Sequence, residues 1–262
     1  MPTITTLATD LDGTFIPLGG DPTHIESLQS IQQYLVDHRL QLIFVSGRSW
    51  SLTRQAIAES ALPEPNVAIC DVGTSIMVRQ DSGYQINADY SDCLQQRMQG
   101  WDNQRVLDAV TALPIEIESQ SPDRQTDFKA SFDFPLADQT NVRRRVRDWI
   151  NESGAPLSMV VSKRIDGKVG LMDLLPGDVN KAFALQWWLE SKSIALSSVV
   201  FCGDSGNDSA VMSIGVNSVL VGNADEHLRE SVIDLPSANI YSAKSDSTSG
   251  VLEGLLYFSQ RS

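Results

Sequence analysis

Three short apolar runs, separated by segments with helical spacing, open this chain and constrain its fold more than any other feature. Leu40–Val45 (LQLIFV) is an apolar run of the kind found in a strand buried on both faces. Val67–Cys70 reads as a second buried strand and Thr3–Thr9 as another strand. Between them, Ile25–Asp37 sets Ile25, Leu28, Ile31, Leu35 and Val36 at helical spacing, and Ser51–Ser60 also reads as a helix. Alternating strands and helices imply an α/β fold: a Rossmann-like parallel sheet with helices on both faces.

The middle of the chain breaks that rhythm. Tyr84–Asn87, Ile115–Ser119 and Phe128–Phe134 look like half-polar strands, and Leu94–Ala109 and Asn141–Asn151 like helices. Met159–Arg164 and Val169–Leu174 flank Ile165-Asp166-Gly167-Lys168, in which Asp-Gly signals a hairpin. This stretch reads as an inserted antiparallel α+β domain. After Pro176-Gly177 the first rhythm returns, with a helix at Lys181–Glu190 and a strand at Val199–Cys202. Short strands are expected at Val219–Val221 and Asn239–Tyr241, and a closing helix at Ser249–Phe258, capped by Ser247 or Ser249. The expected division is a core of residues 1–80 and 176–262 around an insert of residues 81–175.

Charge narrows the function. With 33 acidic and 20 basic residues the net charge is −13, which repels nucleic acid. An anionic ligand must therefore be held by local cations, backbone amides and a metal ion. Cys70, Cys93 and Cys202 are odd in number and irregularly spaced, which fits free thiols and gives no zinc pattern. The N-terminus has no basic segment leading into a long apolar run, and no apolar stretch approaches the roughly 20 residues of a membrane span. A cytoplasmic enzyme with no membrane partner is expected.

Four polar clusters carry the chemistry, each at or near the strand ends where open α/β sheets bind ligands. In Asp10-Leu11-Asp12-Gly13-Thr14, two carboxylates two residues apart follow an apolar strand. One can attack a phosphoryl group and the other move protons, provided that Mg²⁺ neutralises the repulsion between carboxylate and phosphate. Ser46-Gly47-Arg48 follows LQLIFV and offers a hydroxyl and backbone N–H groups at a helix start as a phosphate cradle. Lys181 opens a helix, where an ammonium can hold a phosphate oxygen. Gly203-Asp204-Ser205-Gly206-Asn207-Asp208 brings two carboxylates into a tight loop suited to an oxygen-liganded cation.

In this order, DLDGT, SGR, Lys181 and GDSGND resemble the four motifs of the haloacid dehalogenase superfamily of phosphatases, and the α+β insert is similar to its C2-type (C2B) cap. The resemblance implies that Asp10 is the nucleophile and Asp12 the general acid and base. It implies Mg²⁺ held by Asp10, the Asp12 carbonyl and Asp204, with Asp208 supporting the metal. Ser46, Gly47 and Lys181 would bind phosphate, with Thr14 and Asn207 in support. Asp173-Leu174-Leu175-Pro176, Val72-Gly73-Thr74, Lys129-Ala130-Ser131-Phe132 and Ser249-Gly250-Val251-Leu252 are similar to the sucrose-phosphate phosphatase branch. Gly13 departs from that branch, which usually carries Asn or His there, and matches the Cof-like phosphatases. The implied substrate is a small phosphorylated sugar or glycoside, sucrose 6-phosphate or a glycosylglycerate-type relative. A broad Cof-like sugar phosphatase and a phosphomutase or phosphotransferase are the alternatives. The enzyme is expected as a monomer or homodimer.

Arg48, Lys129 and Trp101 are the side chains expected to meet the sugar. The run Arg143-Arg144-Arg145-Val146-Arg147 reads as a solvated helix face, and His24, His38 and His227 lack metal spacing. Of the neighbours Trp187 and Trp188, at most one can face the core squarely.

Overall fold

The computed structural model describes residues 3–164, 167–233, 235 and 239–261. In chain order the elements begin β1 (Thr6–Thr9), α1 (Pro22–His38), β2 (Gln41–Val45), α2 (Trp50–Glu59), β3 (Val67–Cys70), β4 (Ser75–Gln80) and β5 (Gly83–Ile86). There follow α3 (Ala88–Arg97), α4 (Asn103–Thr111), β6 (Glu118–Ser119), β7 (Ala130–Pro135), α5 (Gln139–Ser153), β8 (Leu157–Lys163) and β9 (Val169–Pro176). The chain closes with α6 (Lys181–Ser191), β10 (Val199–Gly203), α7 (Ser209–Met212), β11 (Asn217–Leu220), α8 (Glu226–Ile233), β12 (Asn239–Ser242) and α9 (Ser247–Ser259).

Two compact units result: Met1–Asn87 with Lys181–Ser262, and Ala88–Asn180. Both boundaries fall a few residues later than the sequence reading places them. The reason at the first is β4, which the sequence reading does not foresee. It pairs antiparallel with β3, and β5 pairs antiparallel with β4, so this hairpin extends the first sheet.

Among the described residues, the first unit holds an eight-stranded sheet in the order β12-β11-β10-β1-β2-β3-β4-β5, parallel from β12 to β3. Leu7 and Ala8 of β1, Ile43, Phe44 and Val45 of β2, and Ile69 of β3 are wholly buried, as continuous apolar strands demand. Burial of each large aliphatic side chain contributes about 1.5–3 kcal/mol. Leu28, Ile31 and Leu35 of α1 and Val251, Leu255 and Phe258 of α9 form one core with Leu7 and Phe44 of the sheet. Helix α1 starts earlier than its apolar spacing predicts. Asp21 caps it by accepting the Thr23 N–H (2.8 Å), and Pro22 sits in the first turn, where its missing N–H costs nothing. From β1 the chain moves one way through β2 and β3, and from β10 the other way through β11 and β12. The order therefore reverses between β1 and β10, which is where such sheets open a crevice.

Among the described residues, the second unit holds a four-stranded antiparallel sheet, β6-β7-β9-β8, with β7 packed against α4 and α5. Phe132, Phe134, Met172 and Leu174 share one buried face of it. Side chains alternate along β7, so Ser131 and Asp133 lie on the other face with Asp173 of β9. The single helix expected over Leu94–Ala109 is two. Gln99 (φ +50°) and Gly100 (φ +83°) turn left-handed, and Asp102 restarts the helix by accepting the Arg105 N–H (2.7 Å). The expected hairpin strands form β8 and β9, paired as far as Lys163 and Gly170, while Ile165 and Asp166 lie outside the described residues. Helix α9 begins at Ser247 after Asp246, and neither Ser247 nor Ser249 caps it. Helix α8 is a further element absent from the sequence reading. Arg143, Arg144, Arg145 and Arg147 are exposed on α5 while Val142 and Val146 are buried, and Trp188 is buried deeper than Trp187. None of the three cysteines, all among the described residues, is in a disulfide. Among the described residues, no helix is long and apolar enough to cross a membrane.

Candidate active site

Parallel pairing of β1 and β10, with Thr9 opposite Cys202, brings two acidic loops out of the same sheet edge. The Asp10 N–H still donates to the Cys202 carbonyl (2.9 Å), so Asp10 leaves the strand beside the start of the Asp204 loop. Asp10 is buried, and so is Lys181 at the head of α6. The Lys181 Nζ donates to Asp10 Oδ1 (2.9 Å), Asp208 Oδ1 (2.9 Å) and Asn207 Oδ1 (3.1 Å), which uses all three of its protons. Asp10, Asp204 and Asp208 each place one carboxylate oxygen within 4.8 Å of the others.

Each acidic loop is shaped by a glycine. Gly13 has φ +75°, and a β-carbon there would run into the Asp204 carboxylate. A β-carbon on Gly203 would lie 2.7 Å from the Asp208 carboxyl group. Thr14 Oγ1 donates to Asp204 Oδ1 (3.0 Å). Asp208, wholly buried, braces its own loop by accepting the N–H groups of Asp204 and Ser205 on Oδ2 (both 3.2 Å). Asp208 is thus spent on Lys181 and the loop backbone, while Asp10 and Asp204 are less fully engaged.

Three carboxylates around one ammonium leave two net negative charges in a buried place. Burial pushes the Asp10 carboxyl up to about 7; Lys181 opposes that rise, and Asp208 and Asp204 add to it. Burial, reinforced by Asp208 and opposed by the Thr14 hydroxyl, lifts Asp204 to about 6. Burial works against the charge on Lys181, yet Asp10 and Asp208 hold it well above the ordinary lysine range. An all-oxygen donor set with surplus negative charge suits a hard divalent cation.

Asp12 is placed differently. The turn Leu11–Phe15, closed by the Ile16 N–H on the Leu11 carbonyl (2.9 Å), leaves the Asp12 side chain 58% exposed. Arg48 grips it with a planar fork, Nε to Oδ2 (2.7 Å) and Nη2 to Oδ1 (2.6 Å). The side chain expected to meet the sugar therefore holds Asp12. Ser46 is buried at the end of β2, next to β1, and its Oγ accepts the Arg48 N–H (3.1 Å). Helix α2 starts only at Trp50 with Ser49 as its cap, so Ser46-Gly47-Arg48 is a loop ahead of the helix rather than part of its start.

In the second unit, Lys129 is buried just before β7. The Trp101 ring carries the Arg105 guanidinium 3.7 Å above it and meets Trp149 edge-on at 5.8 Å. These contacts tie Trp101 to α4 and α5.

Sequence reasoning missed the residues that hold the Asp12 turn from behind. Asn223 Nδ2 donates to the Gly13 carbonyl (2.8 Å), and its Oδ1 accepts the Ser247 N–H (2.7 Å). Ser247 Oγ reaches the carbonyls of Thr14 (3.2 Å) and Ile16 (2.9 Å). The available signal was an amide side chain just past an apolar strand, at the same sheet edge as the other motifs.

Residues 4–259 match the family model of sucrose-6F-phosphate phosphohydrolase. The chain belongs to that family. It is a phosphatase of the haloacid dehalogenase superfamily, in the branch of sugar-phosphate phosphatases. A HAD-like hydrolase of Nitrosococcus oceani is 33% identical over 96% of this chain and 71% of its own length. Sucrose-phosphatase 1 of Nicotiana tabacum is 28% identical over 85% of this chain, a match that spans only 51% of the tobacco protein. Among solved structures, the sucrose-phosphatase of Synechocystis sp. PCC6803 in complex with sucrose and phosphate has a TM-score of 0.78 and 27% identity, covering 98% of both chains.

Proposed function

We propose that this family member is a magnesium-dependent phosphomonoester hydrolase that releases phosphate from sucrose 6-phosphate or a closely related glycosyl phosphate, with Asp10 as nucleophile. The observation that carries the reading is the group of buried Asp10, Lys181 and Asp208 with half-buried Asp204 at the β1–β10 switch, with Asp12 two residues from Asp10. Asp10, Asp204 and the Asp12 carbonyl would hold the metal, with Asp208 in support. When bound, Mg²⁺ supplies the positive charge that lets a carboxylate approach a phosphoryl dianion. Asp10 attacks phosphorus in line, the bond to the sugar oxygen breaks, and an aspartyl-phosphate forms on Asp10. Ser46 and the Gly47 backbone hold the phosphoryl oxygens, and Lys181 joins them by giving up one of its three present bonds, the longest of which is to Asn207.

Asp12 donates its proton to the departing sugar oxygen and afterwards takes one from the water that cleaves the aspartyl-phosphate. Both oxygens of Asp12 are gripped by Arg48, so at least one of those bonds has to open before Asp12 can carry a proton. Arg48 thereby acts as a holder of Asp12. The inserted unit sets which sugar is accepted, with Lys129 as a side chain toward that sugar. The name of the Synechocystis neighbour and its bound sucrose and phosphate support the choice of substrate.

The test is Asp10→Asn, assayed for phosphate release from sucrose 6-phosphate with Mg²⁺. Turnover should vanish while the circular dichroism spectrum and the melting temperature stay close to wild type. Substantial residual release would end the nucleophile assignment. Formation of an isomeric sugar phosphate in place of free phosphate would make the protein a mutase.

A further inference from the structure

Directly after β3 the chain enters three successive left-handed residues, Asp71 (φ +53°), Val72 (φ +59°) and Gly73 (φ +101°). Glycine takes that conformation freely, but a β-branched valine does not, so the surroundings must impose it. The hydrogen bonds show what is gained. The Asp71 N–H donates to the Arg48 carbonyl (2.8 Å) and the Val72 N–H to the Ser46 carbonyl (3.3 Å). In an extended strand, successive N–H groups point to opposite sides. Two neighbouring N–H groups can reach the same adjacent loop only if the chain curls, as it does here. The Ser46 N–H in turn donates to the Ile69 carbonyl (2.9 Å), so the loop is tied to this segment at three points. The Val72 Cγ2 methyl lies 3.9 Å from where a β-carbon on Gly47 would stand, so valine covers the glycine of the cradle. The same turn packs against α6, which begins with Lys181.

We infer that Asp71–Gly73 is a positioning turn for the phosphate loop, with Val72 as its positioning residue. It fixes the backbone of Ser46–Arg48, and through it the fork of Arg48 on Asp12. The inference rests on the phosphatase reading for its purpose, but its geometry can be tested without turnover.

The decisive variants are Val72→Gly, which keeps the left-handed turn but loosens it and uncovers Gly47, and Val72→Thr, which keeps the β-branched shape. In Val72→Gly the strain relieved in the folded state offsets the freedom gained in the unfolded one, so the melting temperature should move by no more than about 2 °C. Amide hydrogen exchange at Ser46 and Arg48 should rise about tenfold in Val72→Gly, with exchange in β10 unchanged. KM for p-nitrophenyl phosphate and the inhibition constant of inorganic phosphate, both with Mg²⁺, should rise together by about tenfold. Val72→Thr should stay near wild type on all three measures. Exchange and phosphate inhibition within about twofold of wild type in Val72→Gly would overturn the inference. A wild-type protein that hydrolyses no phosphomonoester would refute the phosphatase reading instead, and the exchange comparison would still decide what the turn does.

Discussion

The two units of this molecule place their polar side chains in opposite ways. At the β1–β10 edge, three of the reactive groups are fixed by main-chain contacts. Asp10 is held through its own N–H, Asp208 by two loop N–H groups, and Ser46 through both its N–H and its carbonyl. In the inserted unit, the polar residues occupy alternate positions on one face of a regular sheet, Ser131 and Asp133 on β7 and Asp173 on β9. Ser131 Oγ donates to Asp173 Oδ1 (2.6 Å), and Arg164 reaches across to Asp133 (2.6 Å). An irregular loop pinned at many points cannot change one residue without moving the others. A strand can exchange an outward side chain while its ladder stays intact. The first arrangement suits a fixed reaction and the second a choice of ligand.

That contrast can be broken by experiment. The largest expected effect follows Lys181→Met, which removes the ammonium shared by Asp10, Asp208 and Asn207. Turnover should fall by about 10²–10³ for p-nitrophenyl phosphate and sugar phosphates alike. A loss confined to the sugar substrate would show that the core does not set the reaction. Lys129→Ala in the insert should act the other way. The kcat/KM for sucrose 6-phosphate should fall about tenfold while p-nitrophenyl phosphate stays within about twofold. Equal losses on both substrates would erase the proposed division of labour.

The smallest effect concerns stability against pH in the metal-free protein. Asp10, raised to about 7, and Asp204, raised to about 6, bind protons more tightly folded than unfolded. The folded state therefore carries more protons between the ordinary aspartate range and neutrality, and stability declines as pH rises through that window. The melting temperature without metal should drop by several degrees from about pH 4 to about pH 7, apart from the protein's other titrations. Added Mg²⁺ should restore it, and more so at the higher pH. The same Mg²⁺ response in Asp10→Asn, Asp204→Asn double variants would place the cation elsewhere.

The same contrast explains what the sequence reveals. Asp10, Asp12, Lys181, Asp204 and Asp208 are legible because strand ends, small residues and carboxylates recur there in a fixed order, and the sheet brings the strand ends together. In the hairpin β4–β5, only β5 is legible, as the strand expected at Tyr84–Asn87, and its place in the first sheet rather than the insert is not. Its side chains are half polar, and only pairing against β3 tells which sheet it joins. The Arg48–Asp12 fork spans 36 positions in sequence and depends on how two loops meet, which no local pattern encodes. Asn223 and Ser247 escape for a related reason: they act on backbone carbonyls, and such contacts leave no charge pattern behind.

Gly13 and Gly203 carry a consequence for how this enzyme can change over time. Gly13 leaves the volume into which the Asp204 carboxylate fits, so the two acidic loops are cut to one another like key and ward, and Gly203 leaves room for Asp208 within its own loop. A side chain at position 13 has to adopt φ +75° and push the Asp204 carboxylate out of the place it now occupies. Random mutagenesis selected for activity should therefore recover mainly glycine at position 13, unless a second change compensates for the displaced Asp204. Routes from this chain toward relatives with a larger residue there pass mainly through paired substitutions, and libraries built one site at a time will miss those.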